Sequence, residues 1–209
     1  MRSYERKIRG VRKMVQRSKN TQREDFPVIS AVALFFMALL AMIIGHNLLG
    51  NDFPVVIRWW LGVFAAGIAF FPLAHVIGHK LGDGGYIIGK AFGVAAASWV
   101  IWVLSSLRIL KFNEVNSWIA IAICAVLNYG FYSLYCARSR KAPFTDLTMA
   151  KKSRMLYMEV LFMMMFILLC YVRSFKPDID NQTEKYMDFG FLSSIMSTDY
   201  MPPRDMWYA

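Results

Sequence analysis

Two carboxylates near the C-terminus have a spacing that suits acid–base or metal chemistry. Glu184 and Asp188 are four residues apart, so a helix would place them on one face, one turn from each other. Carboxylates in that arrangement can act as a general base or bind a divalent cation such as Mg²⁺ or Mn²⁺. Asp205 is a third carboxylate that can support them. Spacing alone leaves open the alternative that these side chains form a solvated polar face without chemistry.

A helix over residues 182–197 is the element that must position the two carboxylates. Asn181 is a suitable N-cap residue, and Glu184 stands three residues later, where a capping box has its acidic side chain. Pro202 and Pro203 terminate any such helix. Helical spacing places several side chains along one stripe, so we expect a short amphipathic helix on the outer membrane surface. The stripe consists of Glu184, Asp188, Phe191 or Leu192, and Ile195.

The rest of the chain is too apolar for a soluble domain. Hydrophobic residues make up 57% of the sequence and charged residues 18%, whereas soluble proteins have about 45–50% apolar residues. Five apolar segments each have about the 20 residues that a helix needs to cross a bilayer, and the alternation typical of a barrel is missing. We therefore predict an all-α integral membrane protein with about five transmembrane helices in residues 28–172. The segments are 28–49, 56–77, 90–109, 117–136 and 155–172.

Lysine and arginine are concentrated in alternate loops. The basic arm of residues 1–27 has nine of them, the 137–154 loop has six, and the 78–90 loop has Lys80 and Lys90. By the positive-inside rule the N-terminus is cytoplasmic, and five crossings leave residues 173–209 as an external acidic loop of an inner-membrane protein. This distribution also explains the net charge of +10. Nucleic acid is not an expected partner, because no aromatic-interleaved basic fold accompanies the charge.

Three residues in the apolar region are chemically notable. Glu159 lies about one turn inside the fifth segment. It is either a functional intramembrane carboxylate or a side chain that snorkels to the cytoplasmic face. His75 and His79 are spaced for a metal, but no third ligand stands near them in the sequence, so we interpret them as an interfacial polar pair.

Residues 71–110 and the tail from Arg173 onward form two blocks with a characteristic order of residues. In the tail, an Arg and a Pro precede Glu-Lys-x-Met-Asp, a Leu-containing helix and Pro-Pro-x-Asp-x-Trp. Both blocks resemble the YYY membrane protein family, a bacterial and archaeal group of multi-pass proteins. The Tyr-Tyr-Tyr motif that follows in this family is absent, so the resemblance implies an N-terminal fragment that continues into a further membrane region. The matching positions are Arg173, Pro177, Glu184, Lys185, Met187, Asp188, Leu192, Pro202, Pro203, Asp205 and Trp207.

That family in turn resembles the C-type glycosyltransferase superfamily, which uses sugars linked to lipid phosphates. The resemblance implies transfer of a sugar from a polyprenyl-phosphate carrier outside the cytoplasmic membrane. Glu184, Asp188 and Asp205 are then the catalytic candidates, and Glu184 and Asp188 are also the candidate metal ligands. The alternative is a non-catalytic membrane scaffold or transporter component, although the largely apolar segment centres argue against transport. The residues available to bind the lipid phosphate are Arg173, Lys185 and Arg204.

Overall fold

The structure is a computed structural model of the chain, and it describes residues 28–140, 143–175 and 183–205. All regular secondary structure in these residues is helical. The basic arm predicted for residues 1–27 lies outside them. The helices are α1 (Val28–Leu49), α2 (Phe53–Gly78), α3 (Tyr86–Ser106), α4 (Glu114–Ser139), α5 (Met149–Ser174) and α6 (Thr183–Met196), and a 3₁₀ turn (Gly50–Asp52) joins α1 to α2.

The long helices confirm the prediction of an all-α membrane protein. Four stretches of the described residues are long and apolar enough to cross a membrane. The first, Ala31–Gly78, has 48 residues and contains both α1 and α2, whereas a single crossing needs about 20. Gly50 interrupts this stretch with a φ of +52°, a left-handed conformation that glycine adopts readily. The five predicted segments therefore correspond to the five helices α1 to α5.

Polar caps extend two helices beyond the predicted apolar segments. At the start of α4, the Asn113 side chain accepts a hydrogen bond from the Asn116 backbone N–H at 2.9 Å. At the start of α5, the Thr148 hydroxyl accepts one from the Lys151 backbone N–H at 3.4 Å. These contacts satisfy donors that the first helical turn leaves unpaired. Both helices consequently begin several residues before the apolar segments that hydropathy identifies.

Helix α3 begins before the predicted apolar segment, so it includes the charged residue Lys90. This helix begins at Tyr86, so Lys90 lies in its second turn and is only 5% exposed. The assignment of Lys90 to the 78–90 loop is therefore wrong. The physical reason is that residues 86–89 are themselves apolar or small, so the helix and its apolar surface continue through the lysine. The other loop cations support the predicted orientation, and Lys90 does not count among them.

Helices α2, α3 and α4 form one group that packs through small residues. A Cβ on Gly93 of α3 would lie 2.2 Å from the carbonyl oxygen of Ala66 in α2, so this approach requires glycine. Ala69, Ala97 and Cys124 form a buried apolar cluster where the three helices meet. Small residues in α2 and α3 thus allow the close helix approach that is common in membrane proteins.

Helices α1 and α5 form a second group. Ala41 and Leu49 of α1 contact Met163 and Ile167 of α5 in a buried apolar cluster, and the first turns of α2 pack against that cluster. Elsewhere the backbones of α1 and α5 come close to the first group at few points. Side chains rather than close-packed backbones therefore join the two groups.

The long helices alternate in direction, which gives the bundle two different ends. At the end that we call the basic end, Lys151 Nζ at the start of α5 donates to the carbonyl oxygen of His79 after α2, at 2.6 Å. At the opposite end, the tail end, the end of α5 packs near the turn between α1 and α2. The loop between α3 and α4 and residues 197–205 also lie at the tail end. The residues of the predicted site therefore belong to the tail end.

Candidate functional site

Helix α6 carries two of the predicted carboxylates. The structure confirms a helix over Thr183–Met196, and Glu184 is in its first turn, although the Glu184 side chain lies outside the described part of the structure. Asp188 is exposed one turn later. The predicted stripe of Glu184, Asp188, Phe191 or Leu192, and Ile195 does not divide α6 into a polar and an apolar face, because successive residues project about 100° apart and apolar side chains surround most of this helix. The exposed apolar side chains are Tyr186, Met187, Phe189, Phe191, Leu192 and Met196.

The residues after α6 attach it to the tail end of the bundle. The Met201 backbone N–H donates to Ser105 Oγ at 3.1 Å, and Ser105, in the last turn of α3, is fully buried. The Phe112 backbone N–H donates to the Asp199 carbonyl oxygen at 2.7 Å. The helix itself has few contacts with α1 to α5. The chain that follows α6 therefore helps to hold this helix at the tail end.

An ion pair adds to this attachment. Lys111 Nζ lies 3.1 Å from Asp199 Oδ2. The hydrogen bond to this carboxylate, together with its charge, raises the pKa of Lys111 above its usual value. A raised lysine pKa means that the attraction is complete at neutral pH and is lost only as the pH rises through that higher value. Because both side chains are largely exposed, water screens the pair and the backbone contacts carry most of the attachment.

The other predicted residues lie at the end of α5, in the first turn of α6 and in the chain after α6. The Ser194 hydroxyl donates to the Arg204 carbonyl oxygen, so the chain turns back along the last turns of α6. Arg204 and the following Asp205 are both exposed. Arg173 lies in the last turn of α5, and Lys185 lies in the first turn of α6. The predicted phosphate-binding cations are thus all on elements at the tail end.

A metal at this site stays a prediction. Within the described residues, no three His, Cys, Asp or Glu side chains are placed to hold a metal ion together. The predicted pair of Glu184 and Asp188 includes a side chain that lies outside those residues.

A second polar cluster lies inside the bundle. Lys90 Nζ of α3 is 2.6 Å from Glu159 Oε2 of α5, and the Tyr86 hydroxyl donates to the same oxygen. Lys90 and Glu159 are both buried. Of the two interpretations left open for Glu159, this burial contradicts snorkelling and favours an intramembrane carboxylate with a named partner. Sequence reasoning missed the partner, although a lysine with apolar residues on both sides was the available signal.

Aromatic rings surround the Lys90 ammonium. Its Nζ lies 3.9 Å from the ring centroid of Phe162, 5.6 Å from that of Tyr86 and 5.9 Å from that of Phe64. The faces of aromatic rings attract a cation, and the attraction grows where water is excluded. Gly67 of α2 leaves room for the lysine, since a Cβ there would lie 2.7 Å from Lys90 Cγ. The cluster therefore connects α5 with both α2 and α3, across the boundary between the two helix groups.

The predicted histidine pair lies at the basic end. His75 and His79 line a small cavity of about 100 Å³ together with Cys136 and Asp146. The buried His75 ring forms a hydrogen bond through Nδ1 to the Gly84 carbonyl oxygen at 3.0 Å. This contact holds the loop between α2 and α3 against the end of α2, which gives the histidine a structural role.

Comparison with known proteins identifies a family. Residues 96–209, more than half of the chain, match the family model described as "Uncharacterized membrane protein (DUF2298)". The matched region runs from within α3 to the end of the tail and includes Glu159 and every residue of the predicted tail site. No curated protein and no solved structure matches the chain.

Proposed function

The chain belongs to the family of uncharacterized membrane proteins DUF2298, and we propose that it is the N-terminal membrane part of a glycosyltransferase. The enzyme would transfer a sugar from a polyprenyl-phosphate carrier to an acceptor outside the cytoplasmic membrane. The order of tail residues that resembles the YYY family, and through it the C-type glycosyltransferases, motivates this proposal. Residues 96–209, which match the family model, include these tail residues.

The observation that carries the proposal is the placement of α6 and the residues after it. Carboxylates and cations from the end of α5, from α6 and from residues 204–205 collect at one end of a membrane-spanning bundle. Around them, α6 exposes large apolar side chains on most of its circumference. An apolar helix next to charged groups suits the interface of a bilayer, where a lipid-linked donor has its phosphate and its first isoprene units.

The chemistry requires a base, a cation and a leaving group. The acceptor hydroxyl attacks the anomeric carbon, the bond from that carbon to the phosphate oxygen breaks, and polyprenyl phosphate leaves. Glu184 would accept the proton of the hydroxyl, with Asp188 and Asp205 in support. Arg173, Lys185 and Arg204 would stabilise the charge on the leaving phosphate. If Mg²⁺ or Mn²⁺ takes part, Glu184 and Asp188 are the residues that would hold it.

Turnover by the intact protein tests the proposal. The protein, with any residues that follow position 209, is reconstituted in lipid nanodiscs with polyprenyl-phosphate sugars as donors. We expect release of free polyprenyl phosphate that depends on Glu184. A panel of hexose and pentose donors that all stay intact in the presence of varied acceptors and of Mg²⁺ or Mn²⁺ would overturn the assignment.

The orientation of the chain is the first prediction. We expect five crossings, with the N-terminus in the cytoplasm and residues 173–209 outside, because Lys and Arg alternate between the loops. In a variant without the native cysteines, a cysteine at position 181 should react with a membrane-impermeant maleimide in intact cells, and one at position 145 should not.

The structure supplies a matched position for this experiment. Ile109 is exposed in the loop that contacts Asp199, at the tail end of the bundle. A cysteine at position 109 should therefore react together with the one at position 181. Labelling at position 145, or different sidedness at 109 and 181, would refute the predicted topology and the external location of the tail.

Binding of the lipid donor is the second prediction. Replacing Arg173 or Lys185 with Gln should weaken binding of a polyprenyl-phosphate sugar by about tenfold, since one charged hydrogen bond contributes roughly 1.5 kcal/mol. Binding is measured by the fluorescence of a labelled donor in nanodiscs that contain the intact protein. Lys80→Gln is the matched control, because Lys80 is exposed at the basic end. Unchanged affinity in both tail variants would leave these residues with an interfacial anchoring role only.

The alternative function, a non-catalytic scaffold or transporter component, has one observation in its favour. Transporters place ionisable groups inside the bundle, and the Lys90–Glu159 pair is such a group. The turnover experiment separates the two functions, because a transporter or scaffold would not release polyprenyl phosphate.

A further inference from the structure

Three buried polar side-chain atoms in the described residues could each form a further hydrogen bond. Their side chains follow one another in a single line of contacts. Trp60 Nε1 and Glu159 Oε1 have no hydrogen-bond partner, and Lys90 Nζ has none beyond its contact with Glu159 Oε2. The Trp60 ring stacks on Phe64 at 5.6 Å, and Phe64 in turn lies beside Lys90. We call this line the seam; it runs between α5 and the α2–α3 pair, where the two helix groups meet.

An unpaired atom in this position is unusual. More than nine-tenths of buried polar groups in proteins have a hydrogen-bond partner, and the exceptions often mark a site for water, an ion or catalysis. Glu159 Oε1 is the least favourable of the three, because it belongs to a carboxylate and is removed from bulk water. The other carboxylate oxygen, Oε2, accepts a hydrogen bond from the Tyr86 hydroxyl and pairs with Lys90 Nζ. Half of the carboxylate is thus fully paired, and the other half requires a donor.

The charges of the seam select the class of ligand. The Lys90 ammonium and the Glu159 carboxylate neutralise each other at 2.6 Å, and the other seam residues, Trp60, Phe64 and Phe162, are uncharged. The carboxylate would repel an anion and the ammonium would repel a cation, so the seam has no net attraction for a ligand of either charge. A neutral molecule that both donates and accepts hydrogen bonds fits both unfilled positions. Water is the smallest such molecule, and buried waters typically bind two to four polar groups.

We propose that the seam is a hydrated site in which water bridges Lys90 Nζ and Glu159 Oε1. Lys90 is four residues from the start of α3, which corresponds to a depth of about 6 Å from the basic end. Glu159 is five residues past Arg154 in α5, about 7.5 Å further along that helix. Water at this depth is close enough to the surface to exchange and gives solvent protons access to the Glu159 carboxylate. This inference does not depend on the glycosyltransferase proposal.

Hydroxyl-radical footprinting of the intact protein in lipid nanodiscs tests the site. Radiolysis generates radicals from bound water, so a buried side chain next to such water is modified, whereas one in a dry region is protected. Tyr86 is the reporter, because it is only 3% exposed and its hydroxyl contacts Glu159. Cys124 is the dry reference, because it is similarly buried but packs among Ala69 and Ala97. We expect Tyr86 to be modified several-fold faster than Cys124, although a thiol is intrinsically more reactive than a phenol.

A variant provides the second measurement. The double replacement K90M/E159M keeps the length of both side chains and removes the polar groups that would hold the water. Modification of Tyr86 should then fall to the rate of Cys124. Slow modification of Tyr86 in the unmodified protein would show a dry seam and overturn the proposal, as would an unchanged rate in the folded double variant. If the double variant does not fold, the comparison of Tyr86 with Cys124 in the unmodified protein decides the question.

Discussion

Replacing Glu159 with Met alone should destabilise the bundle by about 3–5 kcal/mol, because it leaves the buried Lys90 charge without its partner. Lys90→Met should have an effect of similar size, since the carboxylate then remains buried next to Tyr86. Both residues lie at the boundary between the α1–α5 pair and the α2–α3–α4 group, where the helix backbones come close at few points. Denaturant unfolding in detergent micelles, followed by far-UV circular dichroism, measures the change in the free energy of unfolding.

The double variant K90M/E159M is the control for this prediction. Two apolar side chains of similar length bury no charge, so stability should recover to within about 1–2 kcal/mol of the unmodified protein. The single and double variants together form a double-mutant cycle that isolates the interaction between the two side chains. If the double variant loses as much unfolding free energy as the two single variants together, the two side chains do not interact. Other contacts then join the two helix groups.

The helices could be predicted from the sequence because the bilayer fixes their length and composition. Apolar segments of about 20 residues identified α1 to α5, and Asn181 and the following residues indicated α6. The ends of the helices were less accurate, since hydropathy marks only the apolar part, whereas caps such as Asn113 and Thr148 lie in the polar loops. Lys90 was assigned to the 78–90 loop for the same reason, because a charged residue at the edge of an apolar segment is counted with the neighbouring loop.

The contacts that position the candidate site could not be predicted. Met201 binds Ser105 across 96 residues of sequence, and Asp199 pairs with Lys111 across 88. Nothing local in either segment identifies its partner, because a serine in the last turn of a helix and a lysine in a loop are common and have many alternative contacts. The packing of α1 on α5, the first and last of the long helices, is a similar long-range feature. Predicting these contacts requires the three-dimensional arrangement of the helices.

The Glu184 side chain is the residue on which the enzymatic proposal depends most directly. Three features converge on it: its place in the Glu-Lys-x-Met-Asp order of the tail, its position one turn before Asp188 in α6, and its predicted external location. The first turn of a helix favours a negative charge, so Glu184 should be ionised at neutral pH. An ionised carboxylate suits a general base or a metal ligand and does not suit a proton donor.

Glu184→Gln in the intact protein should therefore lower the turnover of a polyprenyl-phosphate sugar by about 10²–10⁴-fold, the usual contribution of a general base. Folding should change little, because Gln can also accept the hydrogen bond of a capping box. Glu114→Gln is the matched control, since Glu114 occupies the first turn of α4 at the same end of the bundle. Initial rates and thermal stability are measured for both variants. A folded Glu184→Gln protein with near-normal turnover would remove this side chain from catalysis and leave it with the capping role alone.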